Sequence, residues 1–538
     1  MIINHLQTFY FNHNKSIFWT LLSAIFVSFF YVFTPIVEGD SSLYASISKG
    51  LFESNNFYEL KTINNGPWLD KPHFPFWMQL FIYHLMGISS ISYKFSGFIF
   101  AIISIIYTYK YAKLNDDSNI ALLSILIIST SFHFGLSIVD LRAEIFQTAM
   151  FIASIYYVEK NKKNHEFKNI IFSGFFIAMA SLTKGIFIGF VFYFCLLFEA
   201  LFIQKNKQLI NQVIQIFFFH LLFLIPEFFA LHFQFGFSKQ NINGQIINNY
   251  FDWFFIKSQF GRFFNNGPIK STFHDYSMYF HTLIWAFFPW SFLFFYKIKN
   301  ILKNVNLSVI IWLVIFIIFS ISKFQLSHYI VLIFPFISIS LATELNQLNS
   351  NFKAQKVFYF LSIFIIIVLN CFFIFISVHQ IVFVLISIFL IILLYFLIFH
   401  YNQLFPAIAI LGIFFQVSVF FFFFNFMSHW DSNIKVANFI NINQLKPIGI
   451  YDINPHSFHF QTHQKVYYNY NLDSILANKP IYLYTTTSIY HYLLDLKKYN
   501  IKSIETFDHY ESSRISTKFL NPKTRSEVIQ KRVLLYIE

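Results

Sequence analysis

Acidic and basic side chains stand just beyond the first long apolar stretch of this chain. Asp40 lies in EGDSSLY, and Asp70 and Lys71 lie in GPWLDKPHF. A carboxylate can accept a proton from an attacking hydroxyl group, and an ammonium group can stabilise a departing anion. Desolvating either charge against a bilayer is costly unless the charge is paired. The three residues are therefore candidates for a functional site.

Further charged and polar candidates follow later apolar stretches. A guanidinium group offers a two-pronged contact to a phosphate or a carboxylate, and lysines and tyrosines at a membrane edge can contact a headgroup. These candidates are Asp140, Arg142 and Glu144 in SIVDLRAE, Lys184 in LTKG, Arg262 in SQFGRFFNNG, and Lys323 and Tyr329 in SKFQLSHY.

Structural alternatives stay open for most of these residues. Asp40 could cap a following helix, and Lys71 could extend its side chain to lipid headgroups. The residues of SIVDLRAE could form a local salt-bridged cluster, and membrane-edge lysines and tyrosines are common anchors.

The composition indicates an integral membrane protein. Of 538 residues, 56% are hydrophobic and only 12% are charged, whereas a soluble domain has about 25% charged residues. Cys195 and Cys371 both lie in apolar runs, which excludes a disulfide framework and a cysteine metal site. The formal charge of +13 comes largely from short loops between spans, so it indicates membrane topology rather than nucleic-acid binding.

The elements that must position the candidates are membrane spans. A window of about 20 residues predicts about thirteen of them. They lie near residues 15–36, 92–112, 119–135, 143–158, 169–182, 184–203, 209–232, 277–297, 307–321, 328–345, 356–377, 381–399 and 404–426. The basic loops 159–168, 204–208, 297–304 and 349–356 all follow even-numbered spans. Because basic loops stay in the cytoplasm, the candidate residues share the opposite face, where loops could assemble an active site.

The chain becomes polar after the last span. Residues 431–538 combine alternating runs such as KPIYLYTTT with helix-like segments such as SIYHYLLDLKKYN, which predicts a small α/β domain on the same outer face as the candidates. The stretch that holds His456, His459 and His463 alternates like a strand, and strand geometry disfavours a zinc site there. We therefore expect a membrane domain over 1–430, with outer loops 37–91 and 233–276, and a second domain over 431–538.

The order of these motifs resembles the lipid A aminoarabinose transferases, which stand with the protein O-mannosyltransferases among the GT-C glycosyltransferases. The motifs that carry the resemblance are Asp40 with Tyr44, the Lys71-Pro72 pair, Asp140, LTKG, Arg262-Phe263, and Ser322 to Tyr329, and they cover roughly residues 30–345. The resemblance implies a polytopic helical membrane enzyme that takes a sugar from a polyprenyl-phosphate donor, such as an undecaprenyl-phosphate-linked sugar. The acceptor would be lipid A or a related glycan or lipid, on the outer face of a bacterial inner membrane.

The same resemblance implies roles residue by residue. Asp40 would activate the acceptor, and Asp140 would be a second catalytic carboxylate. The donor phosphate would be bound by Lys71, Arg262, Tyr329, Lys184 and Lys323. The substrate would be bound by Tyr44, Arg142 and Glu144. The one cofactor that the resemblance implies is a divalent metal ion, which would be bound by Asp70.

Three departures from the family pattern weaken the expectation of a metal ion or an acceptor-phosphate contact. The usual Asp-Glu pair is Asp40-Ser41, the arginine that commonly precedes the tyrosine is Leu43, and the histidine near Arg262 is Gln259. No glycine-rich phosphate loop is present, which favours a lipid-linked donor over a nucleotide sugar.

Two other functions remain open from the sequence. A protein O-mannosyltransferase should keep the intact Asp-Glu pair. A lipid or sugar flippase would place its ionisable residues near the middle of the membrane, often in two matching halves, and no such repeat is visible.

Overall fold

The computed structural model describes residues 2–64, 66–68, 70–236, 239–242, 245–266, 274–345, 352–469 and 471–538. Up to residue 429 the described chain is almost entirely helical. Its α-helices are α1 Ile2–Phe30, α2 Asp40–Glu53, α3 Phe74–Met86, α4 Ser90–Asn115, α5 Ser118–Thr130, α6 Phe132–Val139, α7 Ala143–Asn164, α8 Phe167–Lys184, α9 Phe187–Phe198, α10 Lys207–Phe223, α11 Ile225–Phe235, α12 Gly261–Phe263, α13 Met278–Ala286, α14 Ser291–Lys303, α15 Leu307–Ile321, α16 Phe334–Leu345, α17 Phe352–Phe375, α18 Gln380–Tyr395, α19 Leu404–Val417 and α20 Phe424–His429.

Short irregular helices and one hairpin connect these elements. The 3₁₀ segments are Tyr31–Phe33 and Ser327–Ile333, the π-helical segments are Glu199–Ile203, Asp252–Phe260, Phe396–His400 and Ser418–Phe423, and the hairpin strands are β1 Gln240–Ile242 and β2 Gln245–Ile247.

Seven helices in the described residues are long and apolar enough to cross a membrane, or nine if two bent helix pairs each count as one span. The sequence predicted about thirteen spans by hydropathy alone. Two features account for part of the difference. The pair α5–α6 bends by 55° and the pair α14–α15 by 117°, while α7 carries charged residues at both ends. The polytopic helical architecture itself is confirmed.

A buried lysine fixes the chain between the first span and Asp40. Lys94 of α4 is fully buried, and its Nζ donates to the carbonyl oxygens of Thr34 and Pro35 at 2.9 Å and to Oγ1 of Thr34 at 2.7 Å. Gly39 then takes a φ of +149°, a conformation that side chains with a Cβ rarely adopt. This turn places Asp40 as the first residue of α2 rather than as its cap.

The C-terminal part contains a five-stranded mixed sheet with the order β4-β3-β5-β7-β6. Strands β4, β3 and β5 are parallel, and β7 pairs antiparallel with β5 and β6. The elements are α21 Ser432–Asn443, β3 Ile448–Ile450, α22 His456–Gln461, β4 Val466–Tyr468, α23 Leu472–Leu476, β5 Ile481–Thr486, α24 Thr487–Asp495, β6 Ile501–His509, α25 Thr517–Leu520 and β7 Gln530–Ile537, with 3₁₀ turns Ser512–Arg514 and Arg525–Glu527. The predicted α/β fold is confirmed, while the division at residues 430 and 431 stays a prediction.

The strand predicted around His456 and His459 is wrong. These residues lie in α22, which buries Phe458 against the sheet. The side chain of Asn454 accepts a hydrogen bond from the backbone N–H of His456 at 3.1 Å, which stabilises the start of this helix against the strand-like alternation of the sequence.

Helix α22 joins the C-terminal part to the helix that begins with Asp40. Lys49 of α2 donates to the carbonyl oxygens of His459 at 2.8 Å and Thr462 at 2.5 Å. The hydroxyl of Ser46 lies 2.8 Å from Nδ1 of His459. Burial lowers the pKa of Lys49, and it also lowers the pKa of His459 to about 3. The C-terminal part therefore packs directly on α2.

Candidate active site

Arg142 connects the two carboxylates that the sequence proposed as catalytic. It lies between α6 and α7, and its Nη1 donates to Oδ2 of Asp40 at 2.8 Å while its Nε donates to Oδ2 of Asp140 at 2.9 Å. The side chain of Asp40 is 47% exposed. One guanidinium group thus orients both carboxylates and leaves Asp40 accessible to a substrate.

His328 is a member of this cluster that the sequence analysis did not select. Its Nδ1 lies 3.0 Å from Nη1 of Arg142, and its Nε2 lies 3.5 Å from Oε1 of Glu144. Since a guanidinium group can only donate, Nδ1 must be the acceptor, and the proton of a neutral His328 is on Nε2. The sequence feature that could have identified His328 is its position next to Tyr329 in the motif SKFQLSHY.

Glu144 also binds Lys184. Nζ of Lys184 donates to Oε1 of Glu144 at 2.5 Å, and the glutamate side chain is 4% exposed. The same Nζ lies 3.1 Å from the centroid of the Tyr329 ring, on its face. Lys184, Glu144 and Tyr329 are therefore in contact although they come from three separate parts of the chain.

Lys71 lies at the same cluster. Its Nζ donates to Oδ2 of Asp70 at 2.6 Å and lies 5.9 Å from the ring centroid of Tyr44. Burial alone would lower the pKa of Lys71, but Tyr44, Tyr329 and Glu144 outweigh burial and raise it. Lys71 therefore carries a positive charge in a buried position.

A buried ion pair fixes the turn that presents Lys71. Both oxygens of Glu227 in α11 accept from His73, one from its backbone N–H at 3.1 Å and one from its Nδ1 at 2.9 Å. Nε2 of His73 lies 2.9 Å from the carbonyl oxygen of Tyr58. Both ring nitrogens face acceptors, so His73 is the doubly protonated donor. Burial alone would lower the pKa of His73, but Glu227 raises it above its ordinary value.

The remaining donor-site candidates lie on one edge of this region. The side chains of Arg262 and Gln259 are outside the described residues, although the backbone of Arg262 belongs to α12. Lys323 is exposed, and its backbone N–H donates to the carbonyl oxygen of Phe263 at 3.0 Å. The backbone thus holds Lys323 beside the helix that carries Arg262.

A mainly apolar cavity of about 90 Å³ borders the cluster at Lys184 and Tyr329. Its other walls include Phe187, Phe263 and Phe319. A charged group at one end and apolar walls at the other suit a lipid with an anionic headgroup.

One group of side chains could hold a divalent metal ion. Ligand atoms of Glu38, Asp431 and His509 lie within 4.8 Å of one another, and all three residues are buried. The donor set of two carboxylates and one imidazole suits such an ion. Burial raises the pKa of Glu38 to about 7 and lowers that of His509 to about 3. Asp70, the ligand that the resemblance implied, is not in this group and pairs with Lys71.

Comparison with known proteins agrees with this architecture. Residues 70–228 match the family described as dolichyl-phosphate-mannose-protein mannosyltransferase. The structure aligns with ArnT from Cupriavidus metallidurans bound to undecaprenyl phosphate with a TM-score of 0.74 and 14% identity, over 96% of this chain and 97% of that chain. Residues 70–228 are thus similar to that mannosyltransferase family, and the fold of nearly the whole chain is similar to that of ArnT. The resemblance and the multi-pass membrane fold predicted from the sequence are thus confirmed.

Two curated proteins are similar to this chain in sequence. It is 25% identical over 389 residues to an undecaprenyl phosphate-alpha-4-amino-4-deoxy-L-arabinose arabinosyl transferase of Wigglesworthia glossinidia brevipalpis, covering 69% of this chain and 66% of the relative. It is 26% identical over 343 residues to a protein of Aquifex aeolicus, covering 61% and 64%. The matches span just under two thirds of the length of either relative.

Proposed function

We propose that this protein is a glycosyltransferase that moves a sugar from a polyprenyl-phosphate donor to a lipid acceptor. The observation that carries the proposal is the shared contact of Arg142 with Asp40 and Asp140, next to the buried Lys71 and the partly buried Lys184. Accessible carboxylates beside two cations and an apolar cavity suit a reaction in which a hydroxyl loses a proton while a lipid phosphate departs.

In the proposed reaction, the acceptor oxygen attacks the anomeric carbon of the donor sugar. Its proton passes to the carboxylate of Asp40, the bond from the anomeric carbon to the phosphate oxygen breaks, and the electron pair leaves with the polyprenyl phosphate. Attack from the face opposite the leaving group inverts the anomeric configuration. Arg142 would hold Asp40 and Asp140 in place during this step.

Fixed cations would stabilise the departing phosphate. Lys71 keeps its charge in a buried position, and Lys184 lies at the end of the apolar cavity. Arg262 and Lys323 are proposed as further phosphate contacts, Tyr329 would position Lys184 through its ring, and Tyr44 and Glu144 would line the substrate side.

The acceptor and the sugar are finer proposals. We propose lipid A or a related lipid as the acceptor, and an aminopentose, a hexosamine or a hexose as the sugar. The name of the Wigglesworthia relative supports the aminopentose and an undecaprenyl-phosphate donor. The site would face the periplasm of a bacterial inner membrane, because the basic loops lie at the opposite ends of the helices. A divalent ion, where the protein binds one, would be held by Glu38, Asp431 and His509, or by Asp70.

A second candidate is transfer to a protein, which the family description of residues 70–228 favours. Mass spectrometry of lipid A from cells with and without the gene separates the two. The loss of one aminopentose, hexosamine or hexose from lipid A supports the lipid acceptor. Unchanged lipid A together with a glycoprotein that loses a hexose would support the protein acceptor instead.

A further inference from the structure

A groove runs between α23 and α24 on the outer side of the C-terminal sheet. Helices α21 and α22 cover one face of the sheet, and α22 packs on α2 of the membrane part. Helices α23 and α24 pack on the other face. The groove between them has a volume of about 500 Å³, which is in the range of small-ligand sites. It therefore opens away from the candidate active site.

The groove has an apolar floor. Leu476 of α23 and Leu493 of α24 are buried at its base. Ile489 of α24 and Leu496, which directly follows α24, line it at helical spacing on either side of Leu493. This floor is continuous with the core of the domain, which makes the groove a fixed feature of the fold.

Three tyrosines line the groove along its length. Tyr451 directly follows β3, whereas Tyr499 lies beside Lys479, which precedes β5. Because β3 and β5 are parallel, these tyrosines mark opposite ends of the groove. Tyr492 lines it between them and is 53% exposed. Asn471 and Asp473 are exposed at the rim, at the start of α23.

We infer that this groove binds an oligosaccharide. A sugar ring has faces of C–H groups and a rim of hydroxyl groups. Tyrosine rings suit the faces because they are flat, rigid and amphipathic, and the amide and the carboxylate of Asn471 and Asp473 suit the hydroxyl groups.

The tyrosines at both ends of the groove fit a linear saccharide of at least two rings. A nucleotide fits poorly, because Gly449, inside β3, is the one glycine of residues 431–538 and a glycine-rich phosphate loop is absent from that sequence. The polar rim disfavours a purely apolar ligand.

The binding site is separate from the proposed transfer reaction. A saccharide held in the groove lies on the far side of the sheet from α22 and α2, so it does not occupy the position of the donor or of Asp40. Binding in the groove would attach the protein to a glycan outside the membrane. This role does not depend on which bond the active site forms.

Saturation-transfer NMR on the full chain in lipid nanodiscs tests this inference, with chitobiose and maltose as probes. We expect ring-proton signals from at least one of the two sugars. Tyr492→Ala should weaken binding about tenfold, because it removes the exposed ring from the wall of the groove. Tyr401→Ala is the matched control, because Tyr401 is 59% exposed and lies outside the groove. It should leave the signals unchanged.

Two results would overturn the inference. The first is the absence of signal from both sugars. The second is a sugar signal of equal strength in the parent and in Tyr492→Ala, since binding would then occur elsewhere, including at the active site. In the first case, a Tyr492-dependent signal from a glycine-serine tetrapeptide would make the groove a peptide site. Transfer activity does not enter any of these readouts, so they stand apart from the proposed function.

Discussion

Arg142 and Asp40 are 102 residues apart in the sequence, and Nη1 of the arginine donates to Oδ2 of the aspartate at 2.8 Å. The same guanidinium group binds Asp140, at the end of α6. A single side chain therefore ties the start of α2 to the loop between α6 and α7. Any substrate that reaches Asp40 meets a carboxylate with a fixed orientation.

Replacing Asp40 with Asn should reduce sugar transfer by about 10²- to 10⁴-fold, because the amide cannot take the proton of the acceptor. The measurement is the rate of sugar transfer by the purified variant. Asp117→Asn is the control, because Asp117 is exposed and occupies the N-cap position of α5, where Asn is equally well tolerated. Full activity of Asp40→Asn in a folded protein would remove Asp40 from the chemistry.

Lys71→Ala and Lys184→Ala should each reduce transfer by about 10²- to 10³-fold, because each removes a fixed cation next to the departing phosphate. The double variant should lose less than the product of the two single effects, since both cations act on one group. The measurement is a double-mutant cycle, in which the transfer rates of the parent, the two single variants and the double variant are compared with the same donor. Fully multiplicative effects would mean that the lysines serve separate groups.

The His73–Glu227 pair should make stability depend on pH. Because the pKa of His73 is raised in the folded protein, its stabilising contribution is complete below the ordinary histidine value and is lost as pH rises through the raised pKa. Glu227→Gln removes the charge that raises this pKa, and burial then lowers it. The variant should lose about 3–5 kcal/mol of stability.

Apparent Tm measured against pH checks this prediction. We expect the parent to lose stability as pH rises through the raised pKa of His73, whereas Glu227→Gln, in which burial lowers that pKa, should gain stability with pH, so that the difference in Tm narrows. Glu166→Gln is the control, because the Glu166 side chain is 40% exposed and pairs only with neighbouring Lys168 among the described ion pairs. Parallel pH profiles for the parent and Glu227→Gln would show that His73 does not titrate as described.

Lys49→Met should loosen the C-terminal part from α2. The change leaves the carbonyl oxygens of His459 and Thr462 without the buried donor, at a cost of about 1–3 kcal/mol. Limited proteolysis between residues 430 and 450 should become faster, while the rate at Lys15→Met, outside this contact, should match the parent. Equal cleavage in all three proteins would mean that Lys49 does not hold the contact.

The grouping of the candidate residues on one face could be predicted from the sequence, because the order of spans and basic loops along the chain determines which loops share a side of the membrane. Basic loops recur after alternate spans, so the order of spans alone assigns Asp40, Lys71, Asp140 and Lys184 to one face. The structure brings these four residues to one region.

The individual partners could not be predicted, because they depend on distances between distant parts of the chain. Glu227 and His73 are 154 residues apart, and no local pattern links a glutamate inside an apolar helix to a turn before α3. The same holds for His328, whose role follows only from its position between Arg142 and Glu144. The helix α22 was hidden because its short alternating sequence fits a strand equally well.

The most direct test of the central proposal is a transfer assay with the purified chain in liposomes. Undecaprenyl-phosphate-linked aminoarabinose is the donor, lipid A is the acceptor, and mass spectrometry follows both lipids. We predict that lipid A gains one aminopentose while undecaprenyl phosphate is released in equal amount, and that Asp40→Asn stops both changes. Movement of the donor across the bilayer without any new glycosidic bond would contradict the account and identify a flippase.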